Sequence, residues 1–115
     1  MASTPHFLQG VFAFTGSGLA RPVPIDPGLS YVVPSGLTAQ PLYFRGGNSS
    51  GELISVTLTR DGSPMRIFPM GARGAVNVPL RVVQDVDPDS TLELLVAAPA
   101  GCAGVVVIDF GMVLI

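Results

Sequence analysis

Residues Cys102 to Ile115, CAGVVVIDFGMVLI, read as a strand that is apolar on both of its faces. Taken alternately, one row holds Val106, Ile108, Phe110, Met112 and Leu114, and the other holds Val105, Val107, Asp109, Gly111, Val113 and Ile115. Only Asp109 interrupts the pattern. A half-solvated antiparallel strand alternates apolar with polar residues, so this one calls for cover on two sides. The inner cover is the protein's own core. The outer cover is either another part of the chain, with the Pro-rich passage Arg21 to Pro27 or the N-terminal strand as candidates, or another subunit.

The rest of the chain reads as strands. Gly (14) and Pro (11) are spread throughout, which breaks helices, and no window carries an apolar stripe at i, i+3, i+4 and i+7. Short runs rich in β-branched and aromatic residues recur between turn residues instead, near 6–14, 29–33, 39–45, 51–60, 65–70, 75–84, 91–98 and 104–114, with an extended passage at 20–27. About eight short strands at this spacing point to an all-β, antiparallel, two-sheet β-sandwich or jelly roll. Residues 1–115 fit a single domain.

The best local unit is the hairpin from Glu52 to Met70. Ile54, Val56 and Leu58 share one face, and Ser55, Thr57 and Thr59 share the other. With Gly62-Ser63 as the two-residue loop, Leu58 lies opposite Ile67 and Thr57 opposite Phe68. Phe68 and Met70 then fall on the hydroxyl-bearing side, a second surplus of outward apolar surface. In the following strand Val76, Val78, Leu80 and Val82 point inward, and Pro79, which has no N–H for the ladder, marks an edge strand or a bulge.

Charge is scarce: 12% of residues are charged against 48% hydrophobic, a surface composition that favours burial by association. All the basic residues are arginines, at 21, 45, 60, 66, 73 and 81, so chemistry that needs a lysine is excluded. A net charge of −2 argues against nucleic acid as a partner. No run is long and apolar enough for a membrane helix, and Phe7 to Phe14 lacks the basic lead of an export signal. The expected setting is the cytoplasm or the interior of a larger particle.

Catalytic constellations are hard to assemble from these residues. Cys102 is the only cysteine and His6 the only histidine, which leaves a transition-metal centre, a zinc site or a Ser-His-Asp triad without parts. Cys102 reads as a small buried hydrophobe. Asp85, Asp87 and Asp89 resemble the start of a calcium loop, but Ser90 and Val96 stand where an EF-hand needs Gly and Glu, and a solvated turn is the simpler reading. Tyr31, Tyr43 and Arg45 could form an aromatic platform for a carbohydrate or other small ligand, or they could be core packing. Thr15 to Gly18 and Gly46 to Gly51 read as loops, and Asn48-Ser49-Ser50 matches a glycosylation sequon.

The sequence therefore favours a non-enzymatic structural or assembly protein. It would act without a cofactor, as a homo-oligomer or as a subunit of a larger assembly. The expected interface comprises Phe68, Met70, Val105, Val107, Val113 and Ile115. Covering each such side chain is worth roughly 1.5–3 kcal/mol before ordering costs. A jelly-roll module for a carbohydrate or small ligand, with calcium at Asp85 to Asp89, is the alternative.

Overall fold

The structure, a computed structural model, describes residues 3–115. Nine strands and one short 3-10 helix follow one another: β1 (Thr4–Thr15), β2 (Val23–Pro24), the 3-10 turn (Pro27–Leu29), β3 (Ser30–Val32), β4 (Ala39–Asn48), β5 (Ile54–Arg60), β6 (Ser63–Met70), β7 (Ala75–Pro79), β8 (Thr91–Ala97) and β9 (Ala103–Leu114). They form two antiparallel sheets. Sheet A has the order β1-β9-β4-β7, and sheet B has the order β2-β8-β5-β6 with β3 also paired to β8. This is the β-sandwich that the strand spacing predicts.

The inward rows supply one core between the sheets. Val106, Ile108, Phe110 and Met112 of β9 meet Val56, Leu58, Leu92 and Leu94 of sheet B, and all of them are buried. Phe44 of sheet A stacks on Phe68 of sheet B with ring centroids 4.2 Å apart, tying the layers together. Gly46 makes room for that stack: a Cβ there would lie 2.8 Å from the Phe44 ring. Paired to both β9 and β7, β4 runs on through Gly46 and Gly47 to Asn48, where the sequence predicted a loop.

The β5–β6 hairpin differs from its predicted register. Asp61 (φ 50) and Gly62 (φ 83) form the two-residue loop, because both central positions of a type I′ turn need positive φ and Asp-Gly tolerates it. Asp61 is also held from outside: its carboxylate accepts the Thr91 N–H at 2.8 Å, and its own N–H donates to the Thr91 carbonyl. A bulge at Met65 then shifts the ladder, setting Val56 opposite Phe68 and Ile54 opposite Met70. A one-residue slip exchanges the faces of a strand. Phe68 and Met70 therefore point into the core, at 3% and 0% exposure, and leave Ile67 outside; the expectation that they line an open surface is corrected.

Strand β7 ends at Pro79 and lies at the edge of sheet A, as its proline predicts. Beyond it the alternation stops: Leu80 stays buried, but Val82 is exposed, contrary to its predicted inward position. Asn48, the sequon asparagine, is buried and fully used. Its Nδ2 donates to the carbonyls of Glu52 (2.8 Å) and Gly71 (3.0 Å), and its Oδ1 accepts from the Ser50 N–H (2.9 Å) and hydroxyl (2.8 Å). This clasp shapes the β4–β5 loop and delays β5 to Ile54.

Candidate functional site

The site is built on β9, whose second row forms the middle of sheet A's outer face. Directly opposed residues in antiparallel strands share a face, so the pairings give its composition. Across the sheet, Phe7 lies beside Gly111, Tyr43 and Pro79; Gln9 beside Asp109, Arg45 and Asn77; Val11 beside Val107, Gly47 and Ala75; and Ala13 beside Val105. Apolar rows thus flank one polar row. Among the described residues, no segment lies across this face: the Pro-rich passage joins sheet B through β2, and β1 lies alongside β9 within the sheet. Val105 (37%), Val107 (47%) and Ile115 (41%) are exposed and Val113 is half-buried, so the intrachain cover considered for them does not form.

Asp109 organises the polar row. Its Oδ1 accepts hydrogen bonds from Gln9 Nε2 and the Tyr43 hydroxyl, both at 2.9 Å, and its Oδ2 accepts from an Arg45 guanidinium nitrogen at 2.6 Å. The Tyr43 ring reaches it only because residue 111 has no side chain. A Cβ on Gly111 would lie 2.0 Å from Tyr43 Cε2, so the ring occupies the space that any other residue would fill. Arg45 stands with its guanidinium carbon 5.3 Å from the centre of the same ring.

These contacts set the electrostatics. The hydrogen bond from Gln9 first, with those from Tyr43 and Arg45, holds the Asp109 carboxyl below the usual aspartate range against partial desolvation. Desolvation first, and then the bond to Asp109, raises the Tyr43 phenol above its ordinary value. Bonding to Asp109 likewise raises the Arg45 guanidinium. The result is a paired, hydrogen-bonded centre in an apolar surface. Covering it costs less than covering a lone charge.

Beside this centre, Gly47 and Ala75 leave a shallow hollow of about 450 Å³, lined also by Arg45, Val76, Val107 and Asp109. A second hollow, of about 580 Å³, lies on sheet B between Pro24, Ile25, Asp26, Pro27, Ser30 and Glu93. One Asp26 oxygen there already accepts the Gly28 N–H at 2.8 Å.

The remaining predicted residues are dispersed. Tyr43 and Arg45 share the outer face of sheet A, but Tyr31 belongs to sheet B and stacks on His6 at 4.0 Å, so the three do not form one platform. Asp85 accepts from Gln40 at 2.8 Å and Asp89 from Ser35 at 2.7 Å. Among the described residues no three His, Cys, Asp or Glu side chains gather to hold a metal ion, and Asp85, Asp87 and Asp89 are not drawn together. Cys102 is half-buried against the core, just beyond the Thr15–Ala103 pair. His6 lies toward the other end of the same ladder, roughly 30 Å away at ~3.4 Å per residue, so no Cys-His pair forms. No helix among the described residues is long and apolar enough to cross a membrane.

Sequence reading did not find Gln9 as a member of the site. It is 100 positions from Asp109, and only the β1–β9 register joins them. The one available signal was Asp109 itself, the sole charge in two apolar rows.

No protein-family model and no curated protein matches this chain. Among solved structures, an exo-β-1,3-galactanase from Phanerochaete chrysosporium, determined with galactose, is similar at a TM-score of 0.35 and 14% identity, over 94% of this chain and 29% of that one. The chain thus spans less than a third of that enzyme's length, and a likeness of this degree bears on neither its activity nor its ligand.

Proposed function

We propose that the protein is a non-enzymatic structural or assembly component that docks through the outer face of sheet A, on another copy of itself or on a larger partner. One observation carries the reading: Phe7, Val11, Val105 and Val107 stand exposed around a polar centre whose hydrogen bonds are already made within the chain. The available area is suitable. Four strands at ~4.8 Å spacing and the ten residues of β4 at ~3.4 Å give a face of roughly 650 Å². A standard interface uses about 800 Å² per partner. Docking on a second copy requires a mass in light scattering that rises with concentration in the wild type and rises less in Val107→Lys. A wild type that is monomeric at every concentration overturns that half of the reading and leaves the larger partner.

A second reading is supported by the hollow beside Arg45, whose volume of about 450 Å³ suits a small ligand in reach of the guanidinium, which the Tyr43 ring backs at 5.3 Å without lining the hollow itself. It requires ligand-observed NMR with simple sugars to give a signal that Tyr43→Ala and Arg45→Ala both remove. No signal with the wild type removes this reading for those sugars.

A further inference from the structure

A sandwich has lateral edges as well as faces, and three of the four edges here carry features that discourage a further strand. β7 has five residues and ends on Pro79. β6 contains Pro64 and Pro69, and the edge made by β2 and β3 has strands of two and three residues, the first of which ends on Pro24. β1 is the exception. It is 12 residues long, it contains no Asp, Glu, Lys or Arg, and its one proline is Pro5, next to its start.

The alternation of the ladder shows which backbone groups β1 offers. The Gly16 N–H donates to the Cys102 carbonyl at 2.6 Å, which makes that position a hydrogen-bonded pair and assigns the even-numbered residues of β1 to bonds with β9. The other side of β9 agrees. Ser49 donates to the Val105 carbonyl at 3.0 Å, and Ile115 and Thr38 exchange bonds of 2.9 and 2.8 Å, so the odd-numbered residues of β9 are the ones bonded toward β4. It follows that the odd-numbered Phe7, Gln9, Val11 and Ala13 turn their N–H and C=O groups toward the open edge. All four are exposed, and among the described residues no strand lies beyond them.

We infer that β1 is a strand-addition site whose occupant is β1 of a second copy, running antiparallel about a twofold axis beside Gln9. Three features select a copy of the same strand. Its length matches, so residues 4–14 of the two copies pair, with Pro5 against Ala13 as the one outward position that lacks a donor. Its lack of charge matches, whereas a charged strand would find no counter-charge on β1. The register about Gln9 also sets Phe7 against Val11 of the other copy and Gln9 against Gln9, while odd residues stay with odd, so both outer faces remain on one side. The two four-stranded sheets then become one continuous sheet, and the docking face doubles in width. This contact uses the edge alone and does not rest on the docking reading of the face.

The test is residue-resolved hydrogen exchange by NMR on the full chain at low and high concentration, with sedimentation of the same samples. Pairing requires the Phe7, Gln9, Val11 and Ala13 amides to slow by at least roughly tenfold as a dimer forms. Ala13→Pro removes one edge donor while sparing the even-numbered bonds to β9, so it should reduce the dimer and leave the β9 and β4 amides protected. Val107→Lys spoils the outer face and should leave the β1 protection unchanged, which separates failure of the edge from failure of the face. Fast exchange of the four odd amides at every concentration, in oligomer or monomer, overturns the inference even where Ala13→Pro fails to fold.

Discussion

Sheets A and B share one core, yet their outer faces have different chemistry. The central strands of sheet B turn Ser55, Thr57, Thr59, Thr91 and Glu93 away from the core, with Leu95 and Ala97 opposite Thr57 and Ser55 but largely covered. The Thr59 hydroxyl donates to the Glu93 carbonyl at 3.2 Å. Its exposed apolar side chains, Val32 and Ile67, stand on opposite edges of the sheet. In sheet A the corresponding positions of β1 and β9 are Val11, Ala13, Val105 and Val107, gathered around the Asp109 row. Scattered exposed aliphatics are ordinary on any protein, but a contiguous set in the middle of a sheet marks an interaction surface. Phe7, Val11, Val105 and Val107 thus form a contiguous exposed apolar set on one side of one layer.

The largest effect expected from breaking this comparison comes from the row that both sheets need. Phe110→Ala removes a fully buried ring from β9 and should cost about 3–5 kcal/mol in chemical denaturation, enough to endanger the fold. Gly111→Ala, one residue along, acts on the other face. The new methyl displaces the Tyr43 ring, with an expected loss of about 1–3 kcal/mol, and frees the phenol from Asp109. Ultraviolet titration should then show the Tyr43 phenol ionising at a lower pH than in the wild type.

A smaller effect concerns pH. The native Asp109 carboxyl ionises below the ordinary aspartate value, so its contribution to stability is complete above that value and is lost as pH falls through it toward the native one. The thermal midpoint of the wild type should therefore fall more steeply than that of Asp109→Asn between about pH 5 and about pH 2. Parallel curves would mean that the Gln9, Tyr43 and Arg45 bonds do not stabilise the ionised form.

The sandwich was legible from the sequence because its signal is local. Alternation along β5 and β8, the two apolar rows of β9 and the interruptions by glycine and proline are enough to place the strands and most of the core, and Pro79 narrows β7 to an edge or a bulge. What the sequence concealed depends on partners distant in the chain. The hairpin register turns on Asp61 being drawn to Thr91 and on the bulge at Met65, and that single-residue shift moved Phe68 and Met70 from outside to inside. Gly46 resembles a loop residue until the Phe44 ring is seen to need the space of its missing side chain. The apolar row of the candidate face could be read directly, since it lies within β9, whereas its polar centre combines residues from β1, β4 and β9 that no spacing rule connects.

The smallest change to stability should carry the clearest information about association. Val107→Lys and Ile67→Lys place the same long, charged side chain at exposed aliphatic positions on the outer faces of sheets A and B, and each should alter stability by less than about 1 kcal/mol. Sedimentation equilibrium of the two variants beside the wild type compares the faces directly. If sheet A is the docking face, the wild type and Ile67→Lys associate alike with rising concentration, and Val107→Lys stops at a smaller species. Equal association of all three proteins, or its loss in Ile67→Lys alone, would contradict the account.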